Sequence, residues 1–418
     1  MTNIFLKPKK EESILRFHPW VFSGAIAKIS GNVQEGDLVR VLDCNGSFLA
    51  IGHYQIGSIA VRILSFNDEN IDRNFFQQKI KAAYLMRKNL GICHCGLDPQ
   101  SPAPPVIAGL TRNRLKIQVA EMTNNNTYRL IHGEGDNLSG LVVDIYGSTA
   151  ILQAHSVGFH NVRQILAEIL VEEIPEVENV YYKSEQTLPF KAQIEPQDEY
   201  LIGSKSDCIA IENGLKIYID WLKGQKTGFF IDQRENRSLL EHYAKNRDVL
   251  NMFCYTGGFS LYAMCGGANS VHSVDSSAKA ISLTDKNIAL NFNDDLRHKS
   301  FAEDAFKFLE NIREKYDLII LDPPAFAKHR DALKNALLGY KRLNFRAIEQ
   351  IRSGGILFTF SCSQAVTKEQ FRLAVFSAAA QAKRNVKILH QLTQSADHPV
   401  NIYHPEGEYL KGLVLYVE

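Results

Sequence analysis

From about residue 206 onward, β-type and α-type hydrophobic patterns alternate. That alternation admits little besides a doubly wound, mainly parallel α/β sheet. "DVLNMF" (248–253) leads into the glycine turn of "CYTGGFSLYAMCGG", and "SVHSVD" (270–275) ends in Asp275 before the helical "SAKAISLTDKNIALN". "AEDAFKFLENI" places Asp304 ahead of another helix, "YDLIILD" (316–322) runs into Asp322-Pro323-Pro324, and "GILFTFS" stops at Cys362. Sheets of this kind bind ligands beyond the carboxyl ends of their strands. Each polar residue just named falls at that edge.

The preceding half reads differently. Residues 1–70 hold the short β-rich runs "WVFSGAIAKI", "DLVRVLD", "SFLAIGHY" and "IAVRIL", with glycines at 24, 31, 36, 46, 52 and 57 as turns, which predicts a small barrel. Residues 71–205 predict a central α+β domain. Its elements are an amphipathic helix over Asn74–Leu90, strands in "LSGLVVDIYG", "STAILQAHS" and "NVYYKS", and a helix in "HNVRQILAEILVEEI". The catalytic-type domain then spans 206–418. Within the central region, 91–113 carries prolines 99, 102, 104 and 105 and reads as a flexible insertion, because proline cannot continue the helix. Cys93, His94 and Cys95 lie there, but C-H-C lacks the two-residue gap and second ligand pair of a zinc site, so no metal is expected.

Composition excludes several classes. A 418-residue chain exceeds one core and implies two or three domains. A net charge of +1 gives no global attraction to a polyanion, so nucleic-acid binding would need a local patch. The N-terminus has no signal-peptide core and no apolar run approaches about 18 residues, so no membrane segment is expected. Seven scattered cysteines suit a reducing cytoplasm.

The strand-end residues imply a cofactor. Gly257-Gly258 do not make the G-x-G-x-x-G fingerprint of dinucleotide sites. Asp275 could accept from ribose hydroxyls, and Asp304, one strand further, from an adenine amino group. Each acid alone could equally be a helix N-cap. In that order, glycine loop, ribose acid and adenine acid resemble the S-adenosylmethionine site of class I methyltransferases. A D-P-P sequence after the next strand suits a planar nitrogen base: the prolines stiffen the loop, the carboxylate meets a base edge, and Phe326 can stack on an extruded ring. Cys362 then has a chemical reason. Carbon 5 of cytosine is a poor nucleophile until a thiolate adds to C6, whereas nitrogen methylation needs no thiol. The packing alternative, a small inert hydrophobe, applies better to Cys254 and Cys265 beside the glycine turn.

Six separated motifs, "KTGFFIDQRENR", "NMFCYTGGFS", "VDSS", "LDPPAFAK", "FTFSCS" and "ADHPVNIYHPEGEYLKG", resemble the RlmI-like bacterial family of 23S ribosomal RNA methyltransferases, which make 5-methylcytosine. "HPWVFSGAI" looks like the opening of that family's PUA domain, an RNA-binding barrel, and "YRLIHGEGDNLSGLVVDIYG" resembles its central domain. The resemblance implies that Cys362 attacks C6 and that Asp322 binds the cytosine. It implies that Phe253, Tyr255, Gly257, Asp275, Ser276, Asp304 and Asp322 surround S-adenosylmethionine, with Lys226, Thr227, Phe230 and Gln233 closing over its methionine end. Where two-cysteine RNA methyltransferases carry a second thiol, this chain has Pro324, which leaves the C5 base unassigned.

Beyond the D-P-P loop, Lys328, Arg330, Lys334, Lys341, Arg342 and Arg346 face a single acid, Asp331, within residues 328–346. With Phe326, Tyr340 and Phe345 interleaved, the segment resembles a phosphate-binding rim, which together with Pro323 and Pro324 would meet the RNA. A solvated basic helix face is the alternative. At the level of function two alternatives stay open: methylation of a guanine nitrogen or another base on the same scaffold, and a non-catalytic RNA-binding assembly factor. A homodimer is also left open.

Overall fold

The computed structural model describes residues 1–93, 125–189, 194, 196–204, 208–327 and 330–418. They divide into two compact units. The first comprises Met1–Gly214, Ile219–Ile231 and Ala396–Gly407; the second comprises Leu215–Tyr218, Asp232–Ser395 and Glu408–Glu418. Among the described residues no helix is long and apolar enough to cross a membrane.

The first unit opens with β1 (Thr2–Leu6), the one-turn α1 (Glu12–Leu15), β2 (Trp20–Phe22), β3 (Ile26–Ser30), β4 (Leu38–Leu42), β5 (Phe48–Tyr54) and β6 (Ile59–Ser65). They form one sheet in the order β2-β6-β5-β4-β1-β3. Alternation drives it: Ile4, Leu6, Val39, Val41, Val61 and Ile63 point into a shared core. Two sequence expectations need correcting. "WVFSGAIAKI" is two strands separated by a 3-10 turn, and β1 was not anticipated at all. Gly52 is no turn residue but lies inside β5, where a Cβ would stand 2.2 Å from the Arg62 carbonyl oxygen of β6. Close backbone approach explains that glycine.

Next come α2 (Arg73–Asn89), β7 (Thr127–His132), β8 (Leu141–Tyr146), β9 (Thr149–Ala154), α3 (Val157–Asn161), α4 (Arg163–Glu173), β10 (Asn179–Tyr182), β11 (Glu199–Ile202) and β12 (Ile209–Glu212). The sheet runs β11-β10-β9-β8-β7. Asp72 caps α2 by accepting the Phe75 N–H, and Phe76, Ile80 and Ala83 pack with β8 and β9 residues in one core. Cys93 is buried in that core. The remainder of the expected 91–113 insertion, including His94 and Cys95, lies outside the described residues.

The second unit contains β13 (Leu215–Tyr218), α5 (Arg234–Ala244), β14 (Asp248–Met252), α6 (Gly258–Cys265), β15 (Ser270–Asp275), α7 (Ala278–Asn291), β16 (His298–Ala302), α8 (Ala305–Leu309) and β17 (Leu318–Leu321). It continues through α9 (Leu333–Gln350), β18 (Gly355–Ser361), α10 (Lys368–Ala382), β19 (Val386–Leu392) and β20 (Lys411–Val417). Seven strands form one sheet in the order β16-β15-β14-β17-β18-β20-β19. The first five are mutually parallel, and β20 lies antiparallel between β18 and β19. Every residue of β17 and β18 is buried, as strands covered on both faces require. Strand order reverses between β14 and β17, so the crevice beyond their carboxyl ends is the expected ligand position.

Candidate active site

The loop leaving β14 is bent against its own preference. Phe253 and Tyr255 hold φ of 59° and 48°, the left-handed region that costs a non-glycine residue about 1 kcal/mol or more. Surrounding bonds impose it. The Tyr255 N–H donates to Asp275 Oδ2 (3.0 Å), Thr284 Oγ1 donates to the Tyr255 carbonyl (2.9 Å), and Asn287 Nδ2 donates to the Thr256 carbonyl (2.9 Å). Gly257 (φ 79°) follows, where a Cβ would meet Thr284 Cγ2 at 2.7 Å. Cys254 is inert packing here. Burial pushes its thiol up to about 12.

Asp275, half-buried at the end of β15, accepts the Ser277 N–H on its other oxygen (2.9 Å). It is not the cap of α7: that is Ser277, whose hydroxyl accepts from Ala280. A carboxylate fixed by two backbone amides still has lone pairs for incoming hydroxyls. Ser276 beside it is exposed. Asp304 does cap α8, with Oδ1 accepting the Lys307 N–H (3.0 Å), and is exposed.

Asp322 is half-buried at the end of β17, and a chain of amides orients it. Gln233 Nε2 donates to Asp322 Oδ2 (3.0 Å), while Gln233 Oε1 accepts from Asn236 Nδ2 (2.6 Å), which also reaches the Thr393 carbonyl (3.2 Å). Gln233 was expected at the methionine end of the cofactor, and its bond to Asp322 was not; Asn236 and Thr393 were not anticipated, although "DQREN" carried Asn236 three residues on, one helical turn away.

Because β17 and β18 pair with Leu321 opposite Thr359, Asp322 and Cys362 emerge from neighbouring strands. The Cys362 Sγ donates to the Pro323 carbonyl at 3.9 Å, and Ser363 Oγ donates to the Ala327 carbonyl at 2.5 Å. The cysteine is half-buried, Pro323 buried and Pro324 exposed. Tyr340, fully buried on α9, has its phenol pushed up to about 12 by burial, with negative charge on Cys362 and on Asp322 adding to the effect. One tyrosine thus feels both groups. Phe326, half-buried, packs its ring against Tyr340 (4.7 Å between centroids), and Gly339 leaves room for that contact.

Lys226, Thr227 and Phe230 belong to the first unit. Lys226 lies over the Phe230 ring (4.7 Å), and the buried Thr227 donates to Asp144 Oδ2 (2.6 Å). Of the basic segment, Lys328 lies outside the described residues and Arg330 begins a 3-10 turn ahead of α9. Lys334 and Arg342 are exposed, Lys341 is half-buried, and Arg346 pairs with Glu349 (3.0 Å).

Residues 4–66 match the PUA-like domain, and residues 187–401 match the S-adenosylmethionine-dependent methyltransferase family. The ribosomal RNA large subunit methyltransferase I of Alteromonas mediterranea is 38% identical over 420 residues, covering 99% of this chain and 98% of that protein. The protein of the same name from Tolumonas auensis is 38% identical over 422 residues, covering 99% of each. The solved structure of SMU.776 complexed with SAH aligns over 100% of both chains with a TM-score of 0.80 at 21% identity, a likeness of fold. The near full-length identity to two such relatives, with both domain matches in chain order, means that this chain belongs to the ribosomal RNA large subunit methyltransferase I family, a PUA-like domain followed by an S-adenosylmethionine-dependent methyltransferase.

Proposed function

We propose that the protein methylates carbon 5 of a cytosine in large-subunit ribosomal RNA through a covalent Cys362 adduct. The name shared by the relatives supports the RNA class, and the observation that carries the chemistry is Cys362 Sγ against the Pro323 carbonyl of the D-P-P loop. Bound S-adenosylmethionine supplies an electrophilic sulfonium methyl. Asp275 suits its ribose, Asp304 its adenine through the oxygen not used in capping, and Phe253, Tyr255, Gly257 and Ser276 line the loop between. Lys226, Thr227 and Phe230 remain proposed contacts for its methionine end, as does Gln233.

The Cys362 thiolate adds to C6, forming the S–C6 bond and moving its displaced electron pair to C5. Asp322 meets the cytosine edge near N3 and the amino group, with Gln233 fixing the carboxylate's rotation. C5 then takes the methyl as its bond to the sulfonium sulfur breaks, the bonding pair staying on that sulfur as a neutral thioether. A water or a nearby carboxylate removes the C5 proton, and the returning electron pair expels the thiolate. Pro323, Pro324 and Phe326 shape the base pocket, and Lys328, Arg330, Lys341 and Arg342 meet flanking phosphates.

Protein-free large-subunit RNA incubated with enzyme and methyl-labelled cofactor is expected to yield labelled 5-methylcytidine as the mapped nucleoside. Label on a guanosine would favour the nitrogen-methylating reading, and no label with no cofactor binding would favour an assembly factor. Replacing Gln233 by leucine frees Asp322 to rotate. That change is expected to lower kcat about tenfold, the usual scale for losing an orienting hydrogen bond, and to weaken cofactor binding as well, since Gln233 is also a proposed contact of the methionine end. Single-turnover kinetics beside a cofactor titration would check it.

A further inference from the structure

β20 returns antiparallel along β18 and sets Lys411 directly opposite Ser361, the residue before Cys362. The Lys411 Nζ donates to the carbonyl oxygen of Ser363, the residue after it, at 2.6 Å. One lysine therefore reaches across both chain neighbours of the thiol. Lys411 is 5% exposed, and an ammonium is expensive to bury with a neutral partner.

Resting on the reading of Cys362 as nucleophile, we propose that Lys411 is a positioning residue whose buried ammonium supplies the counter-charge of the Cys362 thiolate. An ordinary thiol is only a few per cent ionised at neutral pH, and a neighbouring cation is a direct way to raise that fraction. Ionisation breaks the S–H bond and sends the proton to solvent, while the ammonium keeps its own. The resting S–H contact with the Pro323 carbonyl is given up in the same step.

Burial brings Lys411 down to about 8, and charge on Cys362 works in the opposite direction, sustaining the ammonium. The interaction is mutual, so the ammonium sustains the thiolate equally. At pH 7 the lysine is mainly charged; above pH 8 the counter-charge fades. Other groups reach this pair. Glu408 favours the ammonium and is itself paired with Lys368, whose charge disfavours it. Tyr340 feels charge on both Cys362 and Asp322, and neither the carboxylate nor the phenol offers a positive charge. Lys411 supplies the positive charge that those two groups lack.

The test is the pH profile of Cys362 alkylation by iodoacetamide in the full-length protein, read by peptide mass spectrometry without RNA. The wild-type midpoint is expected below about 8.5, the ordinary cysteine value. Lys411→Met is expected to raise it by about one unit and slow alkylation at pH 7 about tenfold, the fold-change that one unit represents. Lys411→Arg restores most of the rate. The exposed Cys44 and Cys265 should keep the same profile throughout. A wild-type midpoint at or above 8.5, or a methionine variant whose profile superposes on wild type, overturns the proposal. Methionine removes a buried charge and fills similar volume, but should that variant fail to fold, the wild-type midpoint alone decides. Turnover retained by Cys362→Ala would instead remove the nucleophile reading and leave the alkylation profile to judge the lysine.

Discussion

Replacing Cys362 with alanine is expected to lower methyl transfer to ribosomal RNA by about a thousandfold or more while leaving cofactor Kd within about twofold. The size follows from what the sulfur supplies. In the proposed mechanism C5 of cytosine is too poor a nucleophile to attack until sulfur has added at C6, so no efficient route through the same step survives. The small effect on cofactor binding follows from position: Cys362 touches the Pro323 carbonyl, whereas the carboxylate fixed by the β14 loop is Asp275, across β14 and β17 in the sheet order. Because only the half-buried thiol is lost, folding should be undisturbed. The measurement is single-turnover transfer beside calorimetric titration of cofactor. A second readout separates chemistry from binding: RNA carrying fluorine in place of hydrogen at C5 has no proton to lose after methylation. It should hold the wild-type enzyme as a denaturation-resistant adduct and the alanine variant not at all. Turnover retained by the alanine variant would move the reaction to a ring or exocyclic nitrogen.

The carboxyl edge of the sheet could be read from the sequence because strands buried on both faces are uninterrupted apolar runs. Where "LIIL" or "GILFTFS" gives way to a polar residue, the strand has ended, which puts Asp322 and Cys362 at the edge on sequence alone. Local signals did less well where two readings shared one residue type. Asp304 proves to be a cap and Asp275 does not, since Ser277 takes that role two residues later. What stayed hidden depends on distant pairing. Nothing near Lys411 in sequence announces that it will lie opposite Ser361, 50 positions earlier, because register across an antiparallel pair is a property of two strands. The Asn236–Gln233–Asp322 chain likewise joins the entrance of α5 to the end of β17. The left-handed Phe253 and Tyr255 could not be inferred either, since neither residue type favours that backbone and bonds from distant residues such as Asp275 and Thr284 help to hold the loop.

The largest expected effect on stability lies in the first unit, at Arg87. Near the end of α2 it is fully buried, and its guanidinium forms a two-pronged pair with Asp136, with Nη2 to Oδ2 at 2.8 Å. Its Nε donates to the Arg129 carbonyl (3.0 Å) and Nη2 to the Asp397 carbonyl (2.8 Å). Asp136, its side chain 5% exposed, also accepts the His132 N–H at 2.6 Å. Arg87→Met leaves that carboxylate buried without its cation and removes a donor from the carbonyls of Ala83, Arg129 and Asp397, a loss expected to cost about 3–5 kcal/mol. Lysine should rescue little, because a single ammonium cannot reproduce the planar fork. Asp136→Asn combined with Arg87→Met removes both charges and should recover about half of the loss, since the penalty belongs to the unpaired charge more than to the missing pair. Both tryptophans, Trp20 and Trp221, fall in the first unit, so urea unfolding followed by tryptophan fluorescence reads this unit directly. A single-variant cost below about 1 kcal/mol, the range of exposed pairs, would mean that water reaches Asp136 when Arg87 leaves. A double variant no more stable than the single one would assign the cost to the carbonyls of Arg129 and Asp397, and with it to the docking of α2 rather than to the charge.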